Sequence, residues 1–211
     1  MTGVQTCALP ICGPVKRIYA DEPREILKKE TTLYMDVSAP LFQICFKDDI
    51  KNLSGDAFAV RNAGVEICLE LLCGKSSPLF SRLYEKGLIN STFGSEYMLS
   101  ESFGAAFVGG ESKDPDTVYK ELLEQADSLI KNGLLENETE RCRKMLYGKA
   151  LRVFDGTEKL ANEAVSSYFY GTDLFETALA YKNISYDELG SIMEGLFRGQ
   201  YSIISKILPR Q

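Results

Sequence analysis

The residue types that usually do hydrolytic or nucleophilic chemistry are sparse in this chain, and histidine is absent altogether. Without it no H-x-x-E-H or H-E-x-x-H zinc helix can be written, no Ser-His-Asp or Cys-His pair can form, and no imidazole can serve as general base. Three other stretches carry groups that could bind something. Gly74-Lys75-Ser76 ends like a phosphate loop, but Leu69 stands where the first glycine belongs and a helix runs in where a strand is required, so nucleotide binding is not expected. Gly109-Gly110 could offer two backbone N–H groups to an anion, yet a turn at the end of a strand accounts for the pair as well. Glu66 and Glu70, one turn apart on a helix, could hold a cation; with no histidine beside them they read as a solvated stripe.

Six cysteines, at positions 7, 12, 45, 68, 73 and 142, are too scattered through 211 residues for the disulfide framework of a small secreted domain. Cys68 and Cys142 fall on apolar helix faces and Cys45 in an apolar strand, where a thiol behaves as a small hydrophobe. Reduced structural thiols and a cytoplasmic setting are expected. Cys68 and Cys73 lack the C-x2-C spacing and the further ligands of a zinc site. A net charge of -6 excludes a basic nucleic-acid surface, and no apolar run approaches the ~20 residues of a membrane helix. Nucleic acid and membrane are therefore not expected partners.

The elements that must position these groups are marked by local chemistry. Residues 1–12 (MTGVQTCALPIC) have no periodicity, no charge and no signal-peptide layout, and look like translated sequencing-adapter read-through rather than native protein. An exposed, charged arm is expected over 13–30 and one domain over 31–211. Thr32 to Val37 and Leu41 to Phe46 are β-prone, with Pro40 between them. Asp56 to Cys73 is apolar around most of a helical circumference, apart from the stripe Asn62, Glu66 and Glu70, and must be buried against a sheet. Gly74 releases that helix, and Ser77-Pro78 caps a short one whose apolar face is Leu79, Phe80 and Leu83 and which Gly87 stops. Two extended segments follow, to Leu99 and from Phe103 to Val108. Asp114-Pro115 starts the next helix, while Asn137 to Glu140 and Ser185 to Glu188 have capping-box spacing. Asp155-Gly156-Thr157 and Gly171-Thr172-Asp173 separate further helices, and Tyr201 to Ile207 is a last strand. Strands early and late with helices between make the chain α+β, a mostly antiparallel sheet with helices packed mainly on one face.

The order helix, then G-K-S-S-P-L-F-x-x-L-Y-E-x-G-L-I, then two strands ending in F-V-G-G-E-S and an Asp-Pro-Asp helix start, resembles the C-terminal half of insulinase/pitrilysin-type zinc metallopeptidases. It is most similar to the bacterial branch linked to modification of translation elongation factor P. The resemblance runs from Val15 to Pro209 and implies the same α+β half-domain, like that of the mitochondrial processing peptidase. It also implies that the zinc motif belongs to an N-terminal half preceding Val15, so this chain holds no cofactor and is inactive alone. Relatives carry an arginine and then a tyrosine that reach the substrate backbone. At the matching positions stand Tyr84 and Asn90, so hydrogen bonding remains available but the cationic clamp is gone. Tyr84, Asn90 and, on the charged face of the short helix, Arg82 are the candidate substrate-binding residues, and no catalytic or metal-ligating residue is expected. The resemblance implies a non-catalytic, substrate-enclosing domain of a zinc metallopeptidase, whose partners are the N-terminal zinc-binding domain of the same parent, a peptide substrate and a homologous subunit. The alternative is an inactive scaffold or partner-binding subunit of the same fold.

Overall fold

The computed structural model describes residues 18, 22–50, 53–100 and 102–210; residues 1–12, read above as non-native, lie outside them. Five strands form one mixed sheet: β1 (Glu30–Met35), β2 (Leu41–Lys47), β3 (Gly94–Leu99), β4 (Gly104–Glu111) and β5 (Ser202–Pro209). Their order is β1-β5-β2-β4-β3, so the last strand of the chain lies between the first two. Only β1 and β5 run parallel; the other pairings are antiparallel. Period-2 alternation divides each central strand between two faces. Phe42, Ile44 and Phe46 of β2, Ala106 and Val108 of β4 and Ile204 of β5 are buried beneath the helices. Their neighbours Leu41, Gln43, Phe107, Ser205 and Ile207 remain at least partly accessible on the other face.

The helical layer is built around α1 (Asp56–Cys73), which buries eleven of its eighteen residues. At about 1.5–3 kcal/mol for each large apolar side chain taken from water, this helix supplies the centre of the core. Around it pack α3 (Pro115–Asn132), α4 (Glu136–Leu151), α6 (Leu174–Asn183) and α7 (Tyr186–Leu196), while α5 (Thr157–Tyr170) lies at the periphery with only Ser167 buried. Phe197, just past α7, meets Phe46 of β2 edge to face at 5.2 Å between ring centres. Near the amino end, the Arg24 guanidinium lies 3.5 Å from the Tyr201 ring centre and donates to the Gly195 carbonyl, and Glu22 pairs with Lys47.

Three local expectations need correction. Gly109 and Gly110 do not form a turn; β4 continues through both to Glu111. The Asn137 to Glu140 capping box does not form, because α4 already begins at Glu136 and Thr139 donates its hydroxyl hydrogen to the Leu135 carbonyl from inside the first turn. Glu66 and Glu70 are not fully solvated. Both are half-buried, and Glu66 accepts a 2.7 Å bond from the Tyr181 hydroxyl.

Candidate functional site

The turn after α1 sets the stage for the site. Gly74 ends the helix with its N–H on the Glu70 carbonyl, and the Ser77 hydroxyl accepts from the Phe80 N–H to cap α2 (Pro78–Glu85). Past α2, Gly87 takes a left-handed φ of 61° while the N–H groups of Gly87 and Leu88 return to the carbonyls of Tyr84 and Leu83. Leu79 and Leu83 are fully buried, so the opposite side of α2 must face outward. Phe80 reaches Phe93, and Phe93 reaches Phe42, so the aromatic contacts tie α2 to the sheet.

Beyond Phe93 the chain enters β3 and borders an opening on the accessible face of the sheet. This trough, of about 500 Å³, has Gln43, Gly94, Phe107, Gly109 and Ser205 among its lining residues, with Leu41 and Ile207 toward β1 and Glu96 toward the opposite side. Two glycines make room for its upper wall. A Cβ on Gly110 would stand 2.9 Å from the Phe93 Cα, and one on Gly109 would stand 2.8 Å from the Phe42 carbonyl oxygen. The rim is closed by a three-residue clip in which Asn90 donates to Glu111 at 2.7 Å, the Thr92 N–H and hydroxyl donate to the Asn90 side-chain oxygen, and the Glu111 N–H donates to the Thr92 hydroxyl. The result is an apolar wall with small residues and a few amide and carboxylate groups. It suits contact with an extended chain, and no histidine or cysteine is among its lining residues to activate the Ser95 or Ser205 hydroxyl.

The three candidate residues do not converge. Tyr84 is 57% exposed, with its ring stacked on Phe80 at 5.8 Å. Asn90 is exposed and occupied by the rim clip. Arg82 turns toward α3, donating to Gln125 at 2.9 Å and approaching Glu121 at 3.9 Å. The helix therefore carries Arg82 away from the trough, while Asn90 stands at its edge.

Sequence reading missed two polar assemblies behind the sheet. Asp48, just beyond β2, is buried and receives hydrogen bonds from Arg61 of α1 and, at 2.6 Å, from the Tyr97 hydroxyl of β3. Burial opposes the charge on Arg61, but the hydrogen bond and the charge of Asp48, together with Tyr97, outweigh it and hold the guanidinium pKa above its ordinary value. Burial, then the neighbouring Asp48 charge, pushes the Tyr97 phenol up. In a second assembly Glu66 accepts from Tyr181 of α6 and from Asn62; burial, then the Glu66 charge, pushes the Tyr181 phenol up, with Asn62 opposing. The only warning in the sequence was the polar stripe on α1. The first assembly anchors α1 to the sheet and the second anchors α1 to α6.

The thiols are equally unreactive. Burial pushes Cys45 and Cys142 up to about 11 and Cys68 and Cys73 up to about 12, so all four remain protonated near neutrality. No group of three metal-ligating side chains occurs among the described residues, and the chain has no histidine to complete one. The residues present do not fit a zinc centre.

Known proteins share this fold and part of its sequence pattern. Residues 59–146 match the family model described as "Peptidase M16 inactive domain". Zinc protease YmfH of Bacillus subtilis (strain 168), itself uncharacterised, is 25% identical over 198 residues, covering 93% of this chain and 46% of that protein. The structure of an M16-like peptidase from Alicyclobacillus acidocaldarius superposes with a TM-score of 0.87 at 22% identity, covering 92% of this chain and 47% of the other. A peptidase M16 inactive domain from Pseudomonas fluorescens gives 0.74 at 15% identity, with 94% and 47% covered. The chain thus spans about half the length of these relatives. The family match covers residues 59–146, and over nearly its whole length the chain is similar in fold to M16-like peptidases and their inactive domains, as a C-terminal half-domain would be.

Proposed function

We propose that this chain is the substrate-enclosing wall of a zinc metallopeptidase. In this reading it closes over a zinc-bearing N-terminal half of the same parent protein and holds a peptide for cleavage there. The observation that carries the reading is the accessible sheet face, where Leu41, Phe107 and Ile207 border a 500 Å³ trough whose polar lining is a few hydroxyls, one amide and the Glu96 carboxylate, with no cysteine or histidine. A face of that composition binds an extended peptide by area and backbone contacts, leaving bond cleavage to the opposing half. Reduced, buried thiols fit a cytoplasmic setting, and a homologous subunit is a further partner compatible with the same face.

The test uses a full-length parent gene joined through this domain. Changing Phe107→Lys places a cation on the trough wall. It should lower kcat/KM for peptide substrates by roughly tenfold, ~1.4 kcal/mol, with the thermal midpoint unchanged. A second reading, a scaffold without a peptide-binding role, is favoured by the missing arginine at Tyr84. Unaltered kinetics in the Phe107→Lys enzyme would select that second reading.

A further inference from the structure

The two edges of the sheet differ in what covers them. The β3 edge lies beside a groove whose other wall is Glu163, Ser166 and Tyr170 of α5. At the other edge, β1 pairs, among the described residues, only with β5, and Leu33, Tyr34 and Met35 are 53, 59 and 47% exposed. The bonding pattern identifies which backbone groups of β1 point outward. The Lys29 carbonyl accepts from Ile204 and the Met35 carbonyl from Arg210, so the odd-numbered residues bond inward to β5. In a parallel ladder this leaves Glu30, Thr32 and Tyr34 with their N–H and C=O groups on the free side. The one side chain reaching that side among the described residues is Arg210, whose Nε donates to the Tyr34 carbonyl at 3.3 Å. An edge with free backbone groups and exposed Leu33, Tyr34 and Met35 is a template for another strand.

We infer that the occupant of this edge is β1 of a second copy of the chain, paired antiparallel about a two-fold axis through Thr32. Geometry and charge select the same register. A two-fold axis perpendicular to the sheet keeps each face continuous and places outward-pointing residues opposite one another: Thr32 against Thr32, and Glu30 against Tyr34. That gives a ladder of about six backbone hydrogen bonds and joins two five-stranded sheets into one. In this register Lys28 of each copy stands opposite Asp36 of the other. Both are exposed. Lys28 forms no ion pair among the described residues, and Asp36 has only Arg210, at 3.9 Å. Shifting the axis by one residue, to Leu33, would set Glu30 against Asp36, two like charges that oppose pairing. The apolar side chains Leu33 and Met35 then lie in rows that run across the dyad on the accessible face, while Tyr34 covers the other face. This pairing concerns the edge of the sheet and is independent of what its face encloses.

The experiment is sedimentation equilibrium of the untagged chain and of charge variants, in low and moderate salt. The unaltered chain should form dimers that dissociate on dilution and weaken with salt. Lys28→Glu and Asp36→Lys should each raise the dissociation constant at least roughly fivefold, and the double exchange Lys28→Glu/Asp36→Lys should restore it. Thr32→Pro removes an outward N–H that the inner ladder does not use, and it should abolish the dimer while leaving the fold intact by circular dichroism. A chain that stays monomeric at hundreds of micromolar overturns the inference. So does a dimer indifferent to both single charge reversals, which would place association on the sheet face instead.

Discussion

At the scale of single residues, the trough depends on the missing side chain of Gly110 more than on any polar group. A methyl there would meet the Phe93 backbone at 2.9 to 3.0 Å, and the φ of 155° is one that side-chain-bearing residues rarely adopt. Gly110→Ala should therefore cost about 1–3 kcal/mol of stability and lower the midpoint of a urea titration, whereas unchanged stability would mean the Phe93 segment moves freely. Glu70 makes a different prediction. Burial raises its carboxyl pKa, with Arg141 and Lys149 opposing only in part. The folded state thus holds this proton more tightly than the unfolded one. Its contribution is fully present below the ordinary glutamate value of about 4.3 and is lost as pH rises through the higher folded value. Replacing it, Glu70→Gln, should raise the thermal midpoint at pH 7 and leave it nearly unchanged at pH 4; a fall at pH 7 would show that the carboxylate is net favourable. Neither role was legible in the sequence. Gly110 read as a turn and Glu70 as solvated because what decides the matter, the Phe93 backbone for one and burial by packed neighbours for the other, lies outside each residue's local window.

Elements were legible where their ends are determined locally. Ser77-Pro78, Asp114-Pro115 and Ser185 each cap the helix that their spacing announces, since a hydroxyl or carboxylate needs only the next two or three N–H groups to satisfy. Asn137 to Glu140 has the same spacing but lies inside α4. There the fully buried Thr139 packs with Cys142 and Leu146 in the helix interface, and that burial fixes where the helix must begin. Ser77→Ala should accordingly cost about 1 kcal/mol by calorimetry and loosen the α2 segment in hydrogen exchange. Asn137→Ala, which removes no cap, should change the calorimetric midpoint by less than a degree or so. Equal losses in the two variants would mean that the observed start of α4 is wrong. The sheet order shows the limit of local reading. Each strand could be found from its apolar alternation, but the insertion of β5 between β1 and β2 is a long-range pairing that no turn residue encodes.

For the whole molecule, the proposed function assigns binding surface to this chain and chemistry to another half. The buried face of the sheet is closed by α1 and its neighbours, its polar groups are paired as Asp48 with Arg61 and Glu66 with Tyr181, and its thiols are held protonated. What remains accessible is a wall. A zinc ion bound in water at neutral pH needs three or four converging imidazole, thiolate or carboxylate ligands, and forming thiolates here would mean exposing and deprotonating buried cysteines whose pKa values stand near 11 and 12. We therefore propose that the untagged chain retains far less than one zinc per molecule after dialysis and cleaves no peptide by itself. Supplying an N-terminal half from a full-length gene should bring zinc binding and peptide cleavage together, with the metal assigned to the added half. Plasma emission analysis of the chain alone is the direct check. Stoichiometric zinc surviving dialysis, and lost on cysteine alkylation, would place a metal centre within this domain and overturn the division of labour between the two halves.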